Sequence, residues 1–152
     1  GPGDNYHPKN SHVIAGLIQR FHEGKTNNIK SVTIWGTGAA KREFLFVDDM
    51  ANACIYTMNL DKITVDKKTK PMCSHINVGS GIELTIKELA ETIKNVVGYE
   101  GQIKFDSSKP EGTLRKIIDS QRLNSIGWQH KVSLYDGLVK TYENFLSTQL
   151  KP

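Results

Sequence analysis

Hydrophobic residues recur every three or four positions in several stretches of the chain, and this spacing predicts amphipathic helices. Polar stretches rich in glycine, proline or lysine separate these runs and are typical of turns and loops. On this basis we expect about five helices, at 12–23, 48–60, 86–97, 119–127 and from Leu134 onward.

The residues that precede these runs include several helix-capping signals. Thr85 and Glu88 have the spacing of a capping box, in which each side chain accepts a hydrogen bond from the other residue's backbone N–H. Asp48, Asp119 and Ser133 stand before three other runs and are expected to be N-caps, because their side-chain oxygens can accept from the first free N–H groups.

Runs rich in β-branched and aromatic residues predict four short strands. They lie at 31–35, 43–47, 75–78 and 102–105. The strand at 75–78 is expected to be buried, whereas 61–71 and 106–116 are predicted to be polar loops. Short strands mixed with helices indicate an α/β or α+β protein.

The predicted helix at 48–60 has one apolar side, formed by Met50, Ala53, Cys54 and Met58. This side is expected to pack against the core. Cys54 is therefore interpreted as a small buried hydrophobic residue, and Cys73 as a loop residue. Two cysteines form neither a disulfide scaffold nor a four-ligand metal site, so a reducing, cytoplasmic setting is expected.

Composition and charge argue against several classes of protein. The chain has 152 residues, 20 basic and 16 acidic, for a net charge of +4. The basic residues are scattered rather than concentrated on one face, which argues against a nucleic-acid-binding protein. No apolar run approaches the roughly 18 residues of a membrane helix, and the first residues lack the pattern of a secretory signal. Basic residues set among glycines and aromatics fit a small phosphorylated ligand better.

The chain contains no self-sufficient catalytic motif. Gly36-Thr37-Gly38 and Gly79-Ser80-Gly81 follow predicted strands, but both lack the third glycine of a dinucleotide-binding loop and favour simple turns. Asp48 and Asp49 point in different directions on a helix, so no metal site is predicted from them. None of the five tyrosines is followed by a lysine four residues later.

Several short motifs nevertheless occur in a characteristic order. They are Gly1-Pro2-Gly3-Asp4-Asn5, His7-Pro8-Lys9-Asn10-Ser11-His12-Val13-Ile14, Trp35-Gly36-Thr37-Gly38, Arg42-Glu43-Phe44, Phe46-Val47-Asp48-Asp49-Met50-Ala51, Ile76-Asn77-Val78-Gly79, Lys109-Pro110-Glu111-Gly112 and Leu123-Asn124-Ser125-Ile126-Gly127-Trp128. Together they resemble the C-terminal half of the extended short-chain dehydrogenase/reductases that act on nucleotide sugars. The resemblance covers essentially the whole chain and is strongest to the branch that makes GDP-L-fucose from GDP-4-keto-6-deoxy-mannose.

This resemblance implies a Rossmann-like α/β fold in which residues 1–152 form a single C-terminal, substrate-binding portion. It implies 3,5-epimerisation and NADPH-dependent 4-reduction of a GDP-linked deoxy-keto sugar by a full-length homodimer. The family's N-terminal half supplies the NADP loop, the Tyr-x-x-x-Lys pair and the epimerisation cysteine, and that half is expected to be missing here. We therefore expect no reductase activity from this chain alone.

Two of the residues that match family positions are expected to face the sugar. His12 matches the histidine that acts as the acid in epimerisation and also contributes to cofactor binding. An imidazole suits this role because it can both donate and accept a proton near neutral pH; the alternative is a histidine that only caps its own helix. Trp35 matches a substrate-contacting tryptophan, and the alternative is a core aromatic at the end of a strand.

The other matching residues are cations that are expected to hold the nucleotide diphosphate. Arg20, Arg42 and Lys109 match such positions, because guanidinium and ammonium groups bind phosphate oxygens with strong, charge-assisted hydrogen bonds. Arg115 and Lys116 are further candidates, with Lys116 the preferred one. For each of them, the alternative is a solvated surface charge.

Three other hypotheses stay open at this point. A related enzyme making GDP-colitose or a GDP-6-deoxy-heptose would share the diphosphate site and differ around the sugar. A binding or interaction module could keep the scaffold without catalysis, and a basic nucleic-acid binder would show steep salt dependence. Whichever applies, an unpaired strand at 75–78 would leave apolar surface uncovered, so the chain alone is not expected to be a simple stable monomer.

Overall fold

Helices and short strands are mixed along residues 1–149, which are the residues that the computed structural model describes. The helices are α1 (Val13–Thr26), α2 (Val47–Met58), α3 (Lys62–Lys68), α4 (Ile86–Val97), α5 (Gln121–Asn124) and α6 (Leu134–Gln149). The strands are β1 (Ser31–Trp35), β2 (Lys41–Glu43), β3 (Glu83–Thr85), β4 (Gln102–Asp106) and β5 (Arg115–Lys116). The predicted α/β class is confirmed, with six helices in the described residues where about five were expected.

The strands form two small sheets. β1 and β4 pair in parallel, with Ser31 opposite Gln102 and Trp35 opposite Asp106. In the second sheet β2 is the central strand, antiparallel to β3 and parallel to β5. The segments that meet on β2 are therefore far apart in the sequence, and they meet only because the chain is folded.

The main core lies where α1, α4 and α6 pack together against β1. α1 contributes four fully buried side chains that recur at helical spacing, Ala15, Leu17, Ile18 and Phe21. They pack with buried residues of the other three elements and with two tyrosines outside them, in a set comprising Val32, Ile34, Leu89, Ala90, Ile93, Val97, Leu138, Tyr142, Phe145, Tyr6 and Tyr99. Burial of this apolar surface holds α1 and β1 in fixed positions relative to one another.

The capping predictions for α4 and α6 are confirmed. Thr85 Oγ1 accepts from the Glu88 N–H at 3.1 Å, and Glu88 Oε2 accepts from the Thr85 N–H at 2.7 Å, so both halves of the capping box form. Gly98 ends α4 in the left-handed region, at φ 69°, which a glycine adopts without steric cost. Ser133 Oγ accepts from the Asp136 N–H at 3.1 Å at the start of α6.

The predicted limits of the strand and the helix near residue 45 are wrong. The strand expected at 43–47 is β2 at Lys41–Glu43, because β3 and β5 offer hydrogen-bonding partners only there. α2 then begins at Val47, with Phe46 rather than Asp48 at the N-cap position and without a side-chain cap. Asp48 and the next aspartate lie in the first helical turn, where negative charge is favourable to the helix dipole.

The side of α2 that was expected to be buried is also largely exposed. Of its predicted apolar residues only Ala53 is buried, while Met50, Cys54 and Met58 are exposed, so the interpretation of Cys54 as a buried residue is wrong. The helix instead turns Ala53 and Asp49 inward. The resulting α2 apolar face consists of six exposed residues, Val47, Met50, Ala51, Cys54, Ile55 and Met58.

The lysine-rich segment predicted as a loop at 61–71 contains a helix. Asp61 caps α3 by accepting from the Thr64 N–H at 2.9 Å, and Lys62 pairs with Asp66 one turn along at 2.5 Å. No residue of α3 is buried. Local capping and i,i+4 pairing therefore stabilise a helix that a count of polar residues does not predict.

The segment 75–78 forms no strand with any part of residues 1–149, so the prediction of a strand there is wrong for this chain. The alternation of apolar and polar residues still corresponds to burial, since Ile76 and Val78 are partly buried against Leu123 and Trp128. His75 and Asn77 are exposed. A strand needs a neighbour that supplies backbone hydrogen bonds, and none is present in the described residues. Within the same residues, no helix has the length and apolar character to cross a bilayer.

Candidate functional site

Arg42 and Lys116 lie side by side on neighbouring strands. β2 and β5 run parallel, and their register places Arg42 directly opposite Lys116. Opposite residues of paired strands project from the same face of a sheet. Among residues 1–149 neither side chain forms an ion pair, and Arg42 donates to the Lys41 carbonyl at 2.7 Å. Two adjacent cations repel each other, and a bound anion would relieve that repulsion.

Both cations line one concave site, which we call the β2–β5 hollow. Its remaining lining residues are mostly apolar, and the full set is Arg42, Glu43, Leu45, Val78, Gly79, Lys116 and Ile118. A concavity with apolar walls and converging positive charges suits a ligand that carries phosphate together with a less polar group.

Arg115, the neighbour of Lys116, belongs to a different cluster. Its Nε donates to Glu83 Oε2 at 2.8 Å, and Lys41 Nζ lies 3.7 Å from Glu83 Oε1. The Arg115 hydrogen bond lowers the pKa of Glu83, and the same contact raises the pKa of Arg115. Successive residues of a strand project to opposite faces, so Arg115 is engaged with Glu83 while Lys116 lines the hollow.

Glu43 connects β2 to two other segments. Its Oε1 accepts from the Gly81 N–H at 2.7 Å and from Ser80 Oγ at 3.4 Å. Its Oε2 accepts from the Ile118 N–H at 3.0 Å. One carboxylate therefore fixes both the turn after residue 78 and the segment that follows β5.

The turn after β1 is fixed by a second carboxylate. Glu111 Oε1 accepts from Thr37 Oγ1 at 2.6 Å and from the N–H groups of Ala39 and Ala40 at 3.0 and 3.2 Å. The Thr37 hydrogen bond is the main cause of a lowered pKa at Glu111. Gly36 has φ 81°, and a Cβ there would lie 2.9 Å from the Glu111 side chain, so glycine is required for this contact.

Lys109 lies on the exposed loop that Glu111 anchors. Its N–H donates to the Asp106 carbonyl at 3.2 Å, and its side chain is not among those lining the β2–β5 hollow. Further along, a Cβ at Gly112 would come 3.6 Å from Arg42 Nη2. The loop that carries Lys109 therefore runs past Arg42.

Arg20 is held away from the hollow. Its Nε donates to the Gly16 carbonyl at 3.1 Å and its Nη1 to the Thr33 carbonyl at 3.1 Å. These contacts place the guanidinium between α1 and β1. The structure thus groups Arg42 with Lys116, but it does not place Arg20 with them.

His12 and Trp35 are both accessible. His12 occupies the N-cap position of α1, yet its side chain makes no capping hydrogen bond, so simple capping does not account for this residue. Trp35 is 63% exposed at the end of β1, which is unlike a core aromatic. Neither is a lining residue of the β2–β5 hollow.

Sequence reasoning missed Glu43 and Glu111 as organising residues. Each stands inside a motif that had been noted, directly after Arg42 and two residues after Lys109. Their adjacency to cations was the available signal, but their partners are distant backbone groups that no local pattern reveals. Within residues 1–149, no cluster of three or more His, Cys, Asp or Glu side chains could hold a metal ion.

Comparison with known proteins identifies the family. The model of the NAD dependent epimerase/dehydratase family matches residues 1–79, which is more than half of the chain. The chain belongs to this family.

Among curated members of the epimerase/dehydratase family, GDP-L-fucose synthase of Escherichia coli (strain K12) is 54% identical over 149 residues, covering 98% of this chain and 46% of that protein. GDP-L-colitose synthase of Yersinia pseudotuberculosis is 38% identical over 147 residues, covering 97% of this chain and 45% of that protein. The chain therefore spans about half the length of the relatives it matches.

A solved structure of similar sequence confirms the fold. The GDP-6-OMe-4-keto-L-xylo-heptose reductase from C. jejuni superposes with a TM-score of 0.86 at 35% identity. The match covers 98% of this chain and 51% of that one. The arrangement of short strands and helices described above is thus that of the epimerase/dehydratase family.

The family name implies a dinucleotide cofactor, and the two glycine turns of this chain do not fit its pyrophosphate. A phosphate cradle needs free backbone N–H groups that converge on the anion. Here the Gly81 N–H is donated to Glu43, and the Ala39 and Ala40 N–H groups are donated to Glu111. A carboxylate therefore already occupies each turn, which leaves neither turn suited to bind the pyrophosphate.

Proposed function

We propose that this chain is the substrate-binding portion of a GDP-sugar 3,5-epimerase/4-reductase that converts GDP-4-keto-6-deoxy-mannose to GDP-L-fucose with NADPH. The observation that carries the proposal is the pairing of Arg42 with Lys116 in one hollow, within a chain 54% identical to a GDP-L-fucose synthase. The domain assignment, residues 1–152 as one C-terminal portion with NADP bound mainly elsewhere, is part of the same proposal. So are a homodimeric full-length enzyme and a cytoplasmic location.

In this proposal Arg42 and Lys116 hold the diphosphate. A guanidinium offers several N–H donors in a fixed planar fork, while an ammonium adds a compact charge beside it. Their shared face lets both reach the oxygens of one diphosphate. The apolar wall that includes Leu45 and Val78 would lie against a less polar part of the ligand.

Lys109 and Arg20 are secondary members of the proposed site. Lys109 is carried by a loop that passes Arg42, so its flexible side chain could add a further charge to the phosphates. Arg20 uses two of its donors on backbone carbonyls, which leaves the other guanidinium N–H groups for a ligand.

His12 and Trp35 are the proposed contacts to the sugar and cofactor side of the site. Epimerisation next to a ketone requires removal of a proton from one face and delivery of a proton to the other. An accessible imidazole without a capping role is free to deliver that proton. Neither Cys54 nor Cys73 matches the family's base, so the chain is not expected to epimerise alone.

Titration calorimetry with GDP and with guanosine tests the diphosphate site. We expect GDP to bind and guanosine to bind much more weakly. A hydrogen bond to a charged group is worth about 1.5–3 kcal/mol, so Arg42→Ala or Lys116→Ala should weaken GDP binding by about ten- to a hundredfold.

Matched controls remove the same charges elsewhere. Arg115→Ala removes the arginine held by Glu83, and Lys67→Ala removes an exposed lysine of α3. Both should change GDP affinity little. Equal losses in the controls and the site variants would contradict the proposal, as would a chain that binds no GDP even at high concentration.

The runner-up is a related GDP-sugar enzyme with the same diphosphate site. It is favoured by the 38% identity to a GDP-L-colitose synthase and by the superposition on a heptose reductase. Product analysis with the full-length protein separates these possibilities, because the stereochemistry of the product distinguishes fucose from colitose and heptose derivatives.

A further inference from the structure

Glu43 is a negative charge at the edge of a site built for anions. It follows Arg42 on β2 and lines the same hollow as Lys116. A carboxylate close to a phosphate is electrostatically unfavourable, all the more where burial reduces screening. Its presence therefore needs a compensating role.

The hydrogen bonds of Glu43 supply such a role. It accepts from Gly81 and Ser80 on one oxygen and from Ile118 on the other. Both of these segments contribute to the wall of the hollow, through Gly79 and through Ile118 itself. The Glu43 side chain thus links both wall segments to β2 through hydrogen bonds.

Gly79 shows how closely this arrangement is fitted. The residue is buried, and a Cβ at this position would clash with the Glu43 carboxylate, Oε1 above all. A side chain at residue 79 would therefore displace the carboxylate without changing its chemistry. Gly79 provides a second, independent way to disturb the same contacts.

We propose that Glu43 is a positioning residue for the diphosphate site. It holds the segment after β5, and with it Lys116, in register beside Arg42. This inference rests on the proposed function, because the ligand that reveals it is GDP. Glu43 itself makes no contact with the diphosphate.

The deciding experiment compares Glu43→Gln with Glu83→Gln by calorimetric titration of GDP. The two variants remove the same charge from the same small sheet, but the only partners of the Glu83 side chain within residues 1–149 are the cations Arg115 and Lys41. A glutamine at 43 keeps one acceptor and turns an NH₂ toward a backbone donor, so one wall is released. We expect GDP binding about tenfold weaker in Glu43→Gln and unchanged or tighter in Glu83→Gln.

The sign of the effect separates positioning from simple electrostatics. If Glu43 acted only through its charge, removing that charge would strengthen GDP binding. Stronger or equal GDP binding in Glu43→Gln would therefore overturn the inference about Glu43. Either result would leave the proposed function intact. If the wild-type chain binds no GDP, the proposed function fails, and the role of Glu43 in binding fails with it.

Amide hydrogen exchange distinguishes a local role from loss of the fold. In Glu43→Gln the Gly81 and Ile118 amides should exchange faster, while the Ile34 amide in β1 stays protected. If Glu43→Gln unfolds, GDP binding is measured with Gly79→Ala instead. We expect this variant to bind GDP more weakly than the wild-type chain does, and unchanged binding would overturn the inference.

Discussion

Individual carboxylates, rather than the glycines beside them, determine the shape of the loops in this protein. Glu43 and Glu111 each accept three hydrogen bonds, two from backbone N–H groups and one from a hydroxyl, and each binds at least one group in or next to a glycine turn. A glycine turn permits many conformations, and a carboxylate bound to its N–H groups selects one of them. Each turn therefore depends on a residue that is distant in the sequence.

This dependence predicts the behaviour of Glu111→Ala. The Ala40 amide loses its Glu111 acceptor, whereas the Ala39 amide keeps only the longer contact to Thr37 Oγ1, at 3.2 Å. Both amides should exchange with solvent faster, and that of Ala40 by about five- to a hundredfold, given about 1–3 kcal/mol for an unsatisfied donor. Glu100→Ala, at an exposed residue after α4, is the control. Equal protection of the two alanine amides in wild type and variant would contradict this role for Glu111.

The same contact predicts a pH dependence for the turn. The Thr37 hydrogen bond lowers the pKa of Glu111 from its ordinary value of 4.5, so the folded state favours the ionised carboxylate. Its stabilising effect is complete above pH 4.5 and is lost as the pH falls through the lowered pKa. In an NMR titration from pH 6 to pH 3, the Ala39 amide should shift with a midpoint below the ordinary value of a glutamate; a midpoint at or above that value would contradict this.

At the scale of single elements, α4 shows how far local sequence determines structure. Its capping box and its glycine stop lie within the helix and its flanks, so both are readable from the sequence. Thr85→Ala removes the acceptor for the Glu88 N–H and should lower the free energy of unfolding by about 1 kcal/mol, measured by urea titration. Thr148→Ala, near the exposed end of α6, serves as control, and equal effects of the two changes would contradict the capping role.

Elements defined by distant partners were predicted less well. β1, β4, α1 and α4 follow from hydrophobic pattern and caps, whereas the limits of β2 are set by β3 and β5. The segment 75–78 has the pattern of a strand but lacks a neighbour within residues 1–149. Likewise, the amphipathic pattern of α2 predicts a buried side, and only the assembled fold shows that most of this side is exposed.

In the candidate site, too, some features could be predicted from the sequence and others depend on the fold. Arg42 was nominated from its motif, and Lys116 as a further cation on the predicted loop that carries Lys109, but their direct pairing depends on the register of β2 with β5. The engagement of Arg20 with the Thr33 carbonyl was not predictable, because it depends on how α1 packs against β1. The ligand-binding roles of all the candidate residues remain predictions to be tested by ligand binding, namely those of His12, Arg20, Trp35, Arg42, Lys109 and Lys116.

At the scale of the whole molecule, the α2 apolar face is the most conspicuous unpartnered surface in the described residues. Met58 is 83% exposed and Met50 44% exposed, and they lie on one side of the helix with Cys54 between them. Contiguous apolar surface of this kind promotes association. We therefore expect copies of the isolated chain to associate through this face as concentration rises.

Static light scattering tests this expectation. Met50→Lys combined with Met58→Lys should shift the average mass toward that of a monomer. Met72→Lys changes a 98% exposed methionine outside α2 and should leave association unchanged. A wild-type chain that remains monodisperse and monomeric at high concentration would contradict the expectation.

The two-residue length of β5 has one more consequence. A slip of one position in one direction would bring Arg115 opposite Arg42 and Lys116 opposite Glu43, because a one-residue slip moves each side chain to the other face of the sheet. Because both residues are basic, this displaced register would still place a cation opposite Arg42, with Arg115 in the position of Lys116. A slip in the other direction would place Ile117 opposite Arg42 instead. We therefore expect the site to tolerate a one-residue change in the length of the preceding loop, 107–114, only in the direction that moves Arg115 toward Arg42.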